Sequence, residues 1–268
     1  MRWLGKAAEF LGSLGLNTTG AVAFRNRLIN GNFAINQRAV VSGSTAYAAG
    51  AYTLDRWKAG ANGVTLSWAA AANGDVTVSI TAGTLVQVIE GGRYLPEGGA
   101  YVLSWQGTAT ARIYQGAASG AFAAAPISAS SLTAGTNAAV EVSTGTITLA
   151  QLEPGTVATV FERRDDELRR CQRYYYQTLG TGDGLLLNYQ AYAAYATFQF
   201  VLPGTLPTPM RVRPTMTTVG TWNTTNCSAP TFYSGSTSDY VIFSTATAAG
   251  VCGYFAQAQS GFTASAEL

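Results

Sequence analysis

A rhythm of short apolar runs constrains this fold more than any other feature of the sequence. From residue 25 onward, β-branched and aromatic residues gather in brief stretches divided by Gly, Ser, Asn and Ala. Val64 to Trp68, Asp75 to Ile80, Leu85 to Ile89, Ala100 to Trp105, Ala109 to Tyr114, Ala139 to Val142 and Thr146 to Leu152 are the clearest. Their spacing of about ten residues is that of an antiparallel β-sandwich or barrel. Asn73-Gly74 supplies a hairpin turn between two of these runs, because Asn and Gly adopt positive φ at little cost. Gly91-Gly92 and Gly98-Gly99 mark further turns. Alternation in Val76, Val78 and Ile80 sends those side chains to one face, toward a core.

The pattern changes at residue 162. Residues 162–176 read ERRDDELRRCQRYYY. Asp165–Arg169 and Asp166–Arg170 are acid-then-base pairs at i, i+4, and acids precede bases as the helix dipole favours. Leu168, Cys171 and Tyr175 form a narrow apolar stripe. A helix over 162–178 is predicted. Beyond it, Leu185 to Tyr189, Tyr192 to Phe200, Thr215 to Trp222, Asp239 to Thr245 and Val251 to Ala256 read as strands. Pro203, Pro207, Pro209 and Pro214 predict an extended loop.

Residues 1–24 stand apart. Trp3, Ala7, Phe10, Leu11 and Leu14 share one helical face. Gly5, Gly12 and Gly15 weaken that helix in isolation, so it needs a partner surface. A docking peptide for another protein is the favoured reading; a helix packed on the chain's own assembly is the alternative. Glu9 interrupts the apolar run that a secretory signal needs. Two cations on the polar side are few for a membrane-surface helix.

Composition narrows the function. The chain's 268 residues suffice for one large or two modest domains. Only 11% are charged, against roughly 25% in an average globular protein, which points to a surface partly covered by other subunits. The net charge of +2 gives no strong pull toward nucleic acid or anionic membrane. No apolar run approaches the roughly 20 residues that span a bilayer, so membrane insertion is not expected. There is no histidine, which removes every imidazole-based triad and the commonest metal ligand. Cys171, Cys227 and Cys252 show no CxxC spacing, so neither a disulfide framework nor a zinc site is expected. Reduced thiols fit assembly in a reducing cytoplasm, with a Cys227–Cys252 bridge as the alternative.

Several ordered segments carry a resemblance. Leu28-Ile29-Asn30-Gly31-Asn32-Phe33 with Gln37-Arg38 resembles the "NLLINGNF…WQRG" opening of tailed-phage tail-fibre and receptor-binding proteins. Tyr52-Thr53-Leu54-Asp55-Arg56-Trp57 resembles their "YTADRW" element, and Gln87-Val88-Ile89-Glu90 their "QxIE" strand. Residues 151–164 resemble "QLEEGSVATPFERR"; Glu167-Leu168 with Cys171 to Tyr175 is similar to "ELxLCQRYY". The end, Phe262 to Leu268, resembles "ADAEL". The resemblance spans residues 28–268. It departs where Asn36 replaces the motif's tryptophan and Ala39 its glycine, and where the stretch from Trp105 to Val142 is short and rich in Ala, Ser and Gly. If members of the family bind glycans through loops of that stretch, a lost or altered glycan site is expected here.

The resemblance implies a mainly β protein. A virion-docking helix (1–24; Trp3, Phe10, Leu11, Leu14) precedes a carbohydrate-binding-like jelly-roll β-sandwich (25–161). A linking α-helix (162–178) and a smaller antiparallel β-domain (179–268) follow. It implies a virion protein assembled in the bacterial host cytoplasm, a homotrimer, docking to other virion proteins through residues 1–24, and attachment to a host surface polysaccharide. No cofactor is expected. Calcium occurs in modules of this kind, but the sparse acids display no ligand cluster.

Asn30, Asn32, Asp55, Arg56, Trp57, Glu90, Phe161 and Arg163 are predicted fold determinants, since buried acids and bases need partners and Asn-Gly-Asn suits a tight turn. Glycans need flat exposed rings beside hydrogen-bonding side chains. Trp68, Tyr94, Trp105 and Tyr114 are the candidates in the first domain, and Trp222, Tyr233 and Tyr240 in the second. Two alternatives stand beside attachment. One is a non-adhesive capsid or neck decoration or adaptor protein. The other is a polysaccharide depolymerase, which needs two carboxyls roughly 5–10 Å apart; Asp55, Asp75, Glu90, Glu97, Glu141 and Glu153 show no spacing that brings a pair together. No catalytic residue is predicted.

Overall fold

The computed structural model describes residues 25–178, 188–256 and 260–268. The docking helix expected from Trp3, Phe10, Leu11 and Leu14 lies outside the described residues. The chain divides into two compact units, one ending at Glu167 and one running from Leu168 to Leu268.

The first unit is antiparallel throughout and consistent with a β-sandwich. Its strands are β1 (Thr45–Tyr47), β2 (Lys58–Ala70), β3 (Val76–Ile89), β4 (Gly99–Gln106), β5 (Ala111–Gln115), β6 (Ile127–Leu132), β7 (Ala138–Val142) and β8 (Gly145–Pro154). A short helix, α1 (Gly91–Tyr94), follows β3 where only turns were predicted. The strand order is β1-β2-β3-β8-β4-β6, with β7 pairing both β3 and β5. Strand β3 forks: Val78 to Ile80 pair with β8, whereas Leu85 to Ile89 pair with β7. The core between the layers holds Leu66, Val78, Leu85, Ile89, Tyr101, Leu103, Val140, Val142 and Leu152.

The β2–β3 hairpin closes at Asn73-Gly74. Gly74 has φ +84, and the Asn73 carboxamide oxygen accepts the Asp75 N–H at 3.1 Å. Two runs were predicted between 75 and 89, yet β3 is one strand. Its break in pattern is absorbed at Gly83, φ +72, where a Cβ would stand 2.1 Å from the Gly63 carbonyl oxygen. Only glycine lets the hairpin bend there.

Three-stranded sheets build the second unit: β10 (Asn188–Ala193), β16 (Gly250–Ala256) and β13 (Trp222–Thr225); β11 (Gln199–Thr205), β15 (Asp239–Thr245) and β14 (Thr231–Ser234); β12 (Thr215–Val219), β17 (Gly261–Ser265) and β9 (Tyr175–Gln177). They enclose Phe200, Met210, Trp222, Phe232, Ile242, Tyr254 and Phe262. The Phe262 ring stacks on Phe232 at 4.6 Å and tilts onto Tyr240 at 4.7 Å. Charge is scarce: from 188 to 268 only Arg211, Arg213, Asp239 and Glu267 are ionisable acids or bases of this kind. Arg211 donates to the carbonyls of Ala266 and Glu267, fixing the chain end.

Four expectations are corrected here. The helix is α2 (Glu167–Gln172), six residues long rather than the whole of 162–178. Glu162, Arg163 and Arg164 are drawn into tertiary contacts with Asn26, Leu28 and Asp75 instead of a helical face. Residues 192–200 are not one strand: the chain turns between β10 and β11, with Thr197 at φ +72. Residues 215–222 split at Gly220, φ +77, into β12 and the start of β13. Pro203 lies inside β11 rather than in a loop, which is tolerated because β11 is an edge strand.

All three cysteines are buried free thiols. Cys227 Sγ donates to the Gly253 carbonyl at 3.0 Å and Cys252 Sγ to that of Asn226 at 3.2 Å, so the Cys227–Cys252 bridge is not formed.

Candidate functional site

Cross-strand register on the first unit creates a polar row. Arg112 on β5 lies opposite Glu141 on β7, Glu141 opposite Val86 on β3, and Val86 opposite Lys58 on β2. One row along, Tyr114 faces Ala139 and Ala139 faces Val88. Period-2 alternation puts these side chains on the face opposite Leu85, Val140 and Val142, which are buried. A cleft of about 640 Å³ opens over this face.

The cleft has a hard polar centre. Arg112 Nε and Nη2 donate to Glu141 Oε2 at 2.9 and 2.7 Å, and Arg112 Nη1 donates to the Gly120 carbonyl at 3.0 Å. Thr84 donates to Glu141 Oε1 at 2.7 Å. The guanidinium lies 4.5 Å from the Phe122 ring centre and 5.5 Å from that of Tyr114, close enough for cation–π attraction. Both aromatic rings are therefore tied to one cation, which fixes their positions. Burial pushes the Tyr114 hydroxyl pKa up, and the neighbouring Glu141 charge adds to it. The phenol stays a neutral donor. Gly60 makes room for the centre: a Cβ there would stand 1.9 Å from Thr84 Oγ1.

Arg112 carries five N–H donors, three of them engaged in these contacts. With Lys58, Asn62 and Asn137 on the walls, the cleft offers donors, acceptors and two ring faces together. That set fits a polyhydroxylated ligand with apolar C–H faces. Glu141 is the one acid among the lining residues.

Of the four rings predicted to bind glycan, Tyr114 alone lines this cleft. Tyr94 and Trp105 are buried at 8% and 7% exposure, and Trp105 Nε1 donates to the Ala109 carbonyl at 3.1 Å. Both belong to the core, so they are corrected as site candidates. Trp68 is half-buried on β2, where Ser42 holds its backbone N–H and carbonyl. In the second unit Trp222 and Tyr240 pack in the core cluster, while Tyr233 is 57% exposed. Phe122, Arg112 and Thr84 escaped prediction. Alternation of Arg112 and Tyr114 with Ala111 and Ile113 was the available signal.

The predicted fold determinants gather elsewhere on the unit. Asn30, at φ +57, donates to the carbonyls of Ile35 and Asp55 and accepts the Ile35 N–H. Trp57 Nε1 donates to the Asn30 carbonyl at 3.0 Å, and its ring lies 4.8 Å from that of Phe33. Asp55 accepts the Gln37 N–H and side-chain amide, and Arg56 donates to the Val88 carbonyl at 2.8 Å. Asn32 and Arg163 both donate to Asp75. Glu90 precedes α1 at its N-cap position. Phe161 closes over Gly31, where a Cβ would stand 3.3 Å from the ring.

Among the described residues no cluster of three metal-ligating side chains occurs, and no helix is long and apolar enough to cross a membrane. In comparisons with protein-family models, curated proteins and solved structures, no match was found.

Proposed function

We propose that the chain is a virion protein of a tailed bacteriophage, of tail-fibre or spike type, that attaches to a host surface glycan. The site is the cleft over β5, β7, β3 and β2, and the working form is a homotrimer. One observation carries the adhesive part: Arg112 paired with Glu141 between the rings of Tyr114 and Phe122. Flat rings held beside unspent donors match the alternating C–H and hydroxyl faces of a sugar. The ordered motifs from Leu28 to Leu268 support the virion part. Jelly-roll topology for the first unit and a linking role for α2 belong to the same proposal, as does docking to other virion proteins through residues 1–24.

The cleft supports binding over hydrolysis. A two-carboxyl mechanism needs a second acid across the ligand, and Glu141 has both oxygens committed to Arg112 and Thr84.

The near-absence of charge from 188 to 268 favours one second reading, a decoration or adaptor protein whose second unit is largely covered by neighbours. A glycan array probed with the full chain separates the two. Attachment predicts saturable binding that Tyr114→Ala and Phe122→Ala each weaken. No binding by the folded protein to host-envelope glycans sinks attachment and leaves the adaptor.

A further inference from the structure

Charge is unevenly placed along the cleft of the first unit. Among the described residues that line it, Lys58 and Arg112 are cations and Glu141 is the one acid. Register sets them in one row: Arg112 on β5, Glu141 on β7, Val86 on β3 and Lys58 on β2. Neighbouring strands stand about 4.8 Å apart, so Glu141 adjoins Arg112 but lies two spacings, about 10 Å, from Lys58. Direct contact decides which cation it matches. Arg112 Nη2 meets Glu141 Oε2 at 2.7 Å, Thr84 donates to Oε1, and the Glu141 side chain is only 7% exposed. The Lys58 ammonium instead stands over the Tyr52 ring, 5.9 Å from its centre. Tyr52 bridges Lys58 on the edge of β2 away from β3. Attraction between charges open to solvent fades over about 8 Å at physiological salt. Glu141 therefore cancels Arg112, and the charge that the cleft presents to a ligand comes from Lys58. An ammonium has three donors, so it serves a ligand's anion beside contacts of its own.

We propose that the glycan this cleft takes is acidic, with a carboxylate or phosphate oxygen on Lys58 and its C–H faces on Tyr114 and Phe122. The inference rests on the glycan-binding reading above and names the class of sugar. Tyr114 lies on β5 and Phe122 in the loop that follows it, at the far end of the row from β2. That end is three strand spacings from Lys58, about 14 Å at the backbone, so an extended oligosaccharide meets both. A neutral polymer makes the same ring contacts but forgoes the charge-assisted hydrogen bond, which is about twice as strong as a neutral one.

A glycan array carrying neutral, uronic-acid-bearing and phosphate-bearing bacterial-envelope oligosaccharides, probed with the 268-residue chain, tests this. Calorimetry on the strongest hit follows, with wild type, Lys58→Gln and Tyr114→Ala, at low and high sodium chloride. Circular dichroism verifies folding. The expected hits are acidic, and the acid that dominates separates a uronic carboxylate from a phosphate. Lys58→Gln should weaken the hit about tenfold and flatten its salt dependence. Tyr114→Ala should weaken it with the salt dependence intact. Neutral oligosaccharides bound as tightly as acidic ones, or wild-type affinity retained in Lys58→Gln, overturn the acidic class and leave the glycan site standing. Should Lys58→Gln fail to fold, wild-type affinity that salt does not change overturns it equally. No hit by the folded wild type removes the glycan site, and this inference with it.

Discussion

Arg163 closes on Asp75 as a fork, Nη1 to Oδ1 at 2.8 Å and Nη2 to Oδ2 at 2.6 Å, across 88 residues of chain. It joins the segment that leaves the sandwich to the β2–β3 turn. The Arg163 hydrogen bonds hold the Asp75 carboxyl below its ordinary pKa, and burial opposes them. A depressed folded-state pKa contributes stability that is present above the unfolded value of about 3.9 and is lost as pH falls through the folded one. Arg163→Met should therefore lower the urea midpoint at pH 7 and flatten its fall on acidification. An unchanged acid limb would show that the fork adds nothing.

Gln87 stands in for a missing strand. Its carboxamide accepts the Ile29 N–H at 2.8 Å and donates to the Ile29 carbonyl at 2.7 Å, both buried. Gln87→Ala leaves two buried backbone groups unpaired, which costs about 2–3 kcal/mol. Denaturant unfolding should show this as a lower midpoint with unchanged slope. A loss under about 0.5 kcal/mol would mean water replaces the amide.

Gly31 admits no side chain, since a Cβ would stand 2.1 Å from the Ala150 carbonyl oxygen. Gly31→Ala is expected to destabilise by roughly 3 kcal/mol or more, among the larger single-residue effects. Thermal unfolding checks it; a wild-type midpoint would contradict the close approach of this loop to β8.

Much of this was legible in the sequence, and for a definable reason. Alternation and turn chemistry are local, so the Asn73-Gly74 hairpin and strands such as Asp239–Thr245 could be read directly. What failed was tertiary. Trp105 and Tyr94 look like ligand rings by residue type, but the core claims them. Arg163 and Arg164 look like a helix face until Asp75 and Asn26 are brought near. The cleft needs Arg112 and Glu141 in register, a pairing that β5 and β7 set across 29 residues.

The second unit should be alkali-sensitive. Burial raises the pKa of Tyr176, Tyr240 and Tyr254, the last from 10.0 to about 12. A raised folded-state value gives stability that is full below the unfolded pKa and lost as pH rises through the folded one. The loss should therefore run from about pH 10 to about pH 12. Tyr254→Phe should reduce that slope, followed by phenolate absorbance and chemical unfolding. Equal slopes would place the titrating groups elsewhere.

The most direct measurement is a calorimetric titration of the 268-residue chain with purified host-envelope polysaccharide, repeated with Tyr114→Ala and Phe122→Ala. The proposal predicts saturable binding by wild type and at least a tenfold weaker affinity in each variant, about 1.4 kcal/mol, with unfolding midpoints close to wild type. Wild-type affinity retained in both folded variants would contradict a glycan site in the cleft.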